Sequence, residues 1–170
     1  MDNNSTFNFI VDKENKTIKI QREFESTLPL VWDAYTKSEL LDQWWAPKPW
    51  KARTKKMDFK EGGQWLYAME GPNGEVHWSV ATYKSINFQK SYVGVDAFTD
   101  GDGNVNEAMP KSKWEVSFTD KGSTTLVEIN NSFDDVAQLE AIINMGFKEG
   151  LSAAMRNLDE LLISLKKQRS

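Results

Sequence analysis

From Trp50 to Asn131 the chain repeats apolar residues every second position, and the segment after it repeats them every third or fourth. Period two is the signature of a strand with one covered face, and the three-four step is that of an amphipathic helix. Six strand segments can be read: Lys51–Phe59, Gln64–Met69, Val76–Phe88, Ser91–Phe98, Lys113–Thr119 and Thr124–Asn131. Turn-forming residues divide them, most plainly Glu61-Gly62-Gly63, Gly71-Pro72-Asn73-Gly74 and Asp120-Lys121-Gly122-Ser123. Then Ile143, Phe147, Leu151, Ala154, Leu158, Leu161 and Leu165 form one stripe. With Asp134 or Asp135 as cap, the spacing predicts a single helix to Lys166, about 45 Å long at 1.5 Å per residue. A helix of that length needs a broad surface to lie on, and a multi-stranded antiparallel sheet supplies one.

Upstream, Thr17–Phe24 alternates Ile18, Ile20 and Phe24 against Lys19, Gln21 and Glu23. It reads as a first strand, or as the second arm of a hairpin with the apolar segment Phe7–Val11. Pro29 suits a helix entry, and Leu28, Val31, Trp32 and Tyr35 recur at helical spacing. Ser38 is placed to cap a second short helix through Trp44, which Ala46-Pro47-Lys48-Pro49 ends. No repeat, linker or low-complexity stretch interrupts residues 1–170, so one α+β domain is expected, with its core in residues 17–165.

Composition removes several classes of function. There are no cysteines, which excludes disulfides, thiolate chemistry and cysteine-bound metal. The single histidine, His77, is out of phase with Trp78 and is expected on the surface without the orienting partner a general base needs. One histidine also leaves a zinc site short of ligands. Asp100-Gly101-Asp102-Gly103-Asn104 begins like a calcium loop, but Val105 and Lys111 occupy the positions where glycine and glutamate are required. No phosphate-binding glycine pattern is present. Catalytic residues, metal and cofactor are therefore all predicted to be none. Net charge −4 and pI near 5.1 argue against nucleic acid. Lys51, Arg53 and Lys55 alternate along one strand and read as a solvated outer face. No apolar run approaches the ~20 residues of a membrane span, and the polar Met1–Thr6 lacks the form of a secretory signal. A cytoplasmic location is the expectation.

What the composition favours is aromatic: seven Trp, nine Phe and four Tyr. Trp65, Tyr67, Trp78 and Trp114 are read onto apolar strand faces, with Phe147 and Leu151 opposing them from the helix. Pockets for small molecules are mostly apolar with a few polar groups. These six residues are the candidate ligand-binding set, and Asp58 and Glu70 are carboxylates able to orient a polar group. Gly146 and Gly150, four apart, are read as clearance between helix and sheet, since each costs about 1 kcal/mol relative to Ala within a helix.

Four segments in order carry a family resemblance. They are Leu28–Thr36, Leu40-Leu41-Asp42-Gln43-Trp44-Trp45-Ala46-Pro47, Met57-Asp58-Phe59-Lys60-Glu61-Gly62-Gly63-Gln64-Trp65 and Gly146-Phe147-Lys148-Glu149-Gly150-Leu151. With them the chain resembles the START-like (SRPBCC) superfamily, in the group similar to the C-terminal domain of the activator of the heat-shock-protein-ninety ATPase. Trp32 stands where that group usually has phenylalanine, and Phe147 where it usually has tryptophan. The resemblance implies a helix-grip fold: a curved antiparallel sheet around a long C-terminal helix, with two short helices after the first strand. It also implies three roles to be separated. The first is non-catalytic binding of a hydrophobic small molecule or lipid between the sheet and the C-terminal helix. The second is a co-chaperone-like protein partner, which an exposed apolar patch around Trp44, Trp45 and Trp50 would favour. The third is a cyclase- or hydrolase-type enzyme working through cavity carboxylates.

Overall fold

The computed structural model describes residues 7–169, so Met1–Thr6, and the expectation made of them, lie outside the described residues. In chain order the elements are β1 (Phe7–Asp12), β2 (Thr17–Phe24), α1 (Leu28–Thr36), α2 (Ser38–Trp44), β3 (Lys51–Met57), β4 (Gln64–Glu70), β5 (Val76–Asn87), β6 (Ser91–Thr99), β7 (Ser112–Asp120), β8 (Thr125–Ser132), α3 (Val136–Asn144) and α4 (Phe147–Arg169). The eight strands form one open antiparallel sheet in the order β1-β2-β8-β7-β6-β5-β4-β3. The segment Phe7–Asp12 is a full hairpin arm, pairing from Phe7 opposite Arg22 to Asp12 opposite Thr17. This is the α+β helix-grip arrangement.

Each strand follows the alternation of its sequence. In β2, Ile18, Ile20 and Phe24 are buried, and β8 presents Val127 and Ile129 beside them. The helical layer supplies Val31, Trp32, Leu41, Trp44, Leu151, Met155, Leu158 and Leu162 to the same core. Burial at about 25 cal/mol per Å² makes these large side chains the main source of stability. Tyr35 and Trp44 meet edge to face at 4.9 Å, and the Trp44 indole N–H donates to the Ala34 carbonyl at 2.8 Å. The pair thereby locks α1 to α2.

Two local readings are corrected. The single C-terminal helix is two. Gly146 has φ +88°, a backbone state that L side chains disfavour, and it ends α3 after Met145 and Gly146 turn back onto the carbonyls of Ala141 and Ile143. Asp135 caps α3 by accepting from the Gln138 N–H at 2.8 Å. Only Gly150 stands within α4, where an added Cβ would lie 3.8 Å from Pro47. Second, α2 already includes Ser38, whose hydroxyl makes no cap.

α4 packs across α1 and α2. Its Asn157 side chain donates to the Ala46 carbonyl at 3.0 Å, and Asp159 pairs with the buried Arg22 of β2. The α1–α2 pair thus contacts both α4 and the sheet, through β7 and β3.

Candidate functional site: an aromatic cavity under α1 and α2

Strand register decides which rings can meet. Trp65 lies opposite Ala81, and Tyr67 opposite Ser79. Directly opposed residues in an antiparallel pair project to the same side. Ala81 in turn opposes Asp96, Tyr83 opposes Gly94, and Gly94 opposes Trp114. Trp65, Tyr67, Ala81, Tyr83, Tyr92, Gly94, Asp96 and Trp114 therefore share the helix-facing side of β4 to β7. Above them sit Tyr35 of α1, Leu41 of α2 and Trp45 just after it. Between these groups lies a partly open cavity of about 30 Å³, room for about two water molecules.

The indoles form its walls. Trp45 stands 5.8 Å from Trp65 and 5.9 Å from Trp114, inclined at 64° and 56°. Their N–H groups are spent elsewhere. Trp45 donates to the Tyr67 hydroxyl at 3.1 Å, Trp65 to Thr54 Oγ1 at 2.9 Å, and Trp114 to Ser112 Oγ at 2.9 Å. Thr54 is itself held by Asp42, its N–H at 2.9 Å and its hydroxyl at 2.6 Å from Oδ1. These bonds fix the ring orientations from behind and leave mainly carbon facing inward.

The polar exceptions are Asp96 and the tyrosines. Burial pushes the Asp96 carboxyl up to about 7, with no hydrogen bond or positive charge pulling it back. Tyr67, Tyr83 and Tyr92 are all raised by burial first, and the nearby Asp96 carboxylate adds to each. The Tyr35 hydroxyl is fully buried and lacks a partner. The Asp96 carboxyl borders this space, whereas the charged neighbours of the Tyr35 hydroxyl are Arg22 and Asp159.

Of the six predicted site residues, Trp65 and Trp114 line this cavity. Tyr67 stands behind Trp65, stacked at 4.0 Å. Phe147 meets the edge of Trp114 at 5.9 Å and Leu151 is buried in the core, so both support the wall from α4. Trp78 is on the other face of the sheet. It opposes Ala68, and Arg53 and Lys55 lie over its ring at 5.3 and 5.7 Å. The apolar phase of β4 does not continue into β5, because the intervening turn resets which residues point inward. Glu70 pairs with Arg53 at 2.9 Å and Asp58 with Lys60 at 3.3 Å, so neither carboxylate faces the cavity.

This cavity lies beneath α1 and α2, and no residue of α4 lines it. The apolar patch looked for around Trp44, Trp45 and Trp50 does not form: Trp44 is fully buried, Trp45 is a cavity wall, and Trp50 stacks on His77 at 5.5 Å. In the loop after β6, Asp100 accepts from Asn104 Nδ2 and from the backbone of Asp102 and Asn104, so its carboxylate serves the loop's own turn. Among the described residues no group of three or more His, Asp or Glu side chains could hold a metal, and no helix is long and apolar enough to cross a membrane. Asp96 was the residue the sequence reading missed. Its signal is present: Tyr92, Gly94 and Asp96 share one strand phase, which places an acid on an inward face.

The model of one family, described as Activator of Hsp90 ATPase homolog 1-like protein, matches residues 25–163. The chain belongs to this family. Among solved structures it is similar to protein Ms6760 of Mycobacterium smegmatis, with 27% identity over 91% of this chain and 95% of that one, at TM-score 0.84. A Staphylococcus epidermidis protein gives 25% identity, coverage of 91% and 93%, and TM-score 0.80. An Arthrobacter aurescens protein gives 24% identity, coverage of 92% and 91%, and TM-score 0.87; at that identity it speaks to fold alone. No curated protein matches the chain. Family membership carries the fold, while function has to be argued from the site.

Proposed function

We propose that this domain binds a small, largely apolar molecule in the cavity beneath α1 and α2 without transforming it. The supporting observation is the aromatic enclosure: three indoles with their N–H groups already satisfied surround free space that contains one unpartnered carboxyl. The free volume suits a small group. A larger ligand enters only if a wall ring such as Trp45 or Trp114 swings aside, and both are only half-buried. Native mass spectrometry of the protein with a library of small aromatic and aliphatic compounds tests the reading. It expects a retained ligand that quenches tryptophan fluorescence and that Trp114→Ala and Phe147→Ala both weaken. No added mass and no quenching across the library would overturn it.

One observation favours a catalytic reading of the hydrolase or cyclase kind. A carboxyl titrating near 7 is tuned for proton transfer. Such a reaction needs a second group of opposite role, and the other titratable residues at the cavity are tyrosines, whose raised values hold them neutral. The same mass spectra detect a hydrolase, whose product differs in mass, and chromatography of the released ligand detects a cyclase, whose product can be an isomer of its substrate.

A further inference from the structure

We propose that the cavity receives the ammonium head of a small amine, with the Asp96 carboxylate as counter-ion and Trp45, Trp65 and Trp114 as the walls of its cage. This rests on the cavity being a binding site, and adds the chemical class of what enters it.

Three observations converge on a cation. The lining of the cavity contains no Lys, Arg or His, so an anionic ligand would meet Asp96 with nothing to neutralise it. The wall indoles direct their N–H donors to Tyr67, Thr54 and Ser112, so they cannot bind a carboxylate or phosphate from the cavity side. What they present is aromatic surface, which attracts cations electrostatically, most strongly at Trp. Trp45 is inclined at 64° to Trp65 and 56° to Trp114, so it is not stacked on either ring. An ammonium group is close to water in size, and the free space, with room for about two waters, accommodates it.

Energetics point the same way. A buried carboxylate without a partner is costly, and Asp96 answers that cost by keeping its proton up to about pH 7. The titratable groups coupled to it are Tyr67 of β4, Tyr83 of β5 and Tyr92 of β6, all raised by burial and all neutral near pH 7. None supplies a positive charge. A bound ammonium does, and it returns Asp96 to its ionised form. Binding near pH 7 is therefore expected to release protons.

Calorimetric titration with benzylamine, benzyl alcohol and benzoate at pH 8 separates the possibilities. The three share a ring and differ in the head group. Benzylamine is expected to bind at least ~10-fold tighter than benzyl alcohol, with benzoate weakest, a gap that corresponds to one charge-assisted contact. Asp96→Asn is expected to bring amine and alcohol to parity. At pH 7, titrations in buffers of different ionisation enthalpy should show proton release with benzylamine alone. Alcohol binding as tightly as amine in the wild-type protein would overturn the amine assignment and leave the cavity reading standing. Binding of none of the three, nor of methylamine, which fits the space with no ring displaced, would overturn both.

Discussion

Asp96 is the residue whose position costs the fold most visibly. Burial lifts this carboxyl from its ordinary value of 3.8 to about 7. A value raised on folding means that the native state binds the proton more tightly. Its stabilising effect is complete below about pH 4 and is lost as pH rises through 7. Asp96→Asn removes the titration while keeping the shape. It is expected to raise stability at pH 8 by about 2 kcal/mol, less than full linkage because the carboxyl keeps some solvent contact, and to change it little at pH 4. Urea unfolding at the two pH values checks this, and equal effects at both would contradict it. Gly94 gives a second residue-scale test. It faces the cavity opposite Trp114, and a Cβ there would approach the Thr82 carbonyl at 3.4 Å and Tyr83 at 3.8 Å, ordinary contact. Gly94→Ala is expected to hold or raise stability by about 0.5 kcal/mol, as Ala does relative to Gly in a strand, and to weaken ligand binding about 10-fold. Thermal unfolding and a ligand titration on one preparation read both effects.

At the scale of elements, period and turn chemistry were legible and phase across turns was not. The stripe from Leu151 to Leu165 placed α4, and the alternation in β2, β4 and β7 placed their inward faces. Trp78 failed because alternation says which residues of one strand share a face, not which face the next strand offers. The break at Gly146 failed for a different reason. Apolar residues continue in step through Ile143 and Phe147, so periodicity runs across a point where only a left-handed backbone separates two helices. The two glycines consequently differ in sign. Gly146→Ala, forced to φ near +88°, is expected to destabilise by about 1 kcal/mol. Gly150→Ala, in open contact with Pro47, is expected to stabilise by about as much, through helix propensity. Denaturant midpoints for the two variants, moving in opposite directions, support the assignment.

For the whole molecule, the order of elements and the family were readable because they depend on long segments. The cavity was not, because it depends on where α1 and α2 lie on the sheet. Arg22–Asp159 and Asn157–Ala46 tie α4 to β2 and to the end of α2, and so set that position from outside the cavity. Tyr35 and Trp44 set it from inside. Trp45, adjacent to the core residue Trp44, is left with its ring over β4 and β7.

The seven tryptophans make the central claim directly measurable. In a proton–nitrogen correlation spectrum each indole N–H reports its own surroundings, and benzyl alcohol or benzylamine can be titrated against all of them together. A ligand in this cavity is expected to shift the signals of Trp45, Trp65 and Trp114, while Trp78, across the sheet beneath Arg53, and Trp50, stacked on His77, stay in place. Shifts centred on Trp78 or Trp50, or no shift at any indole, would contradict a binding site beneath α1 and α2.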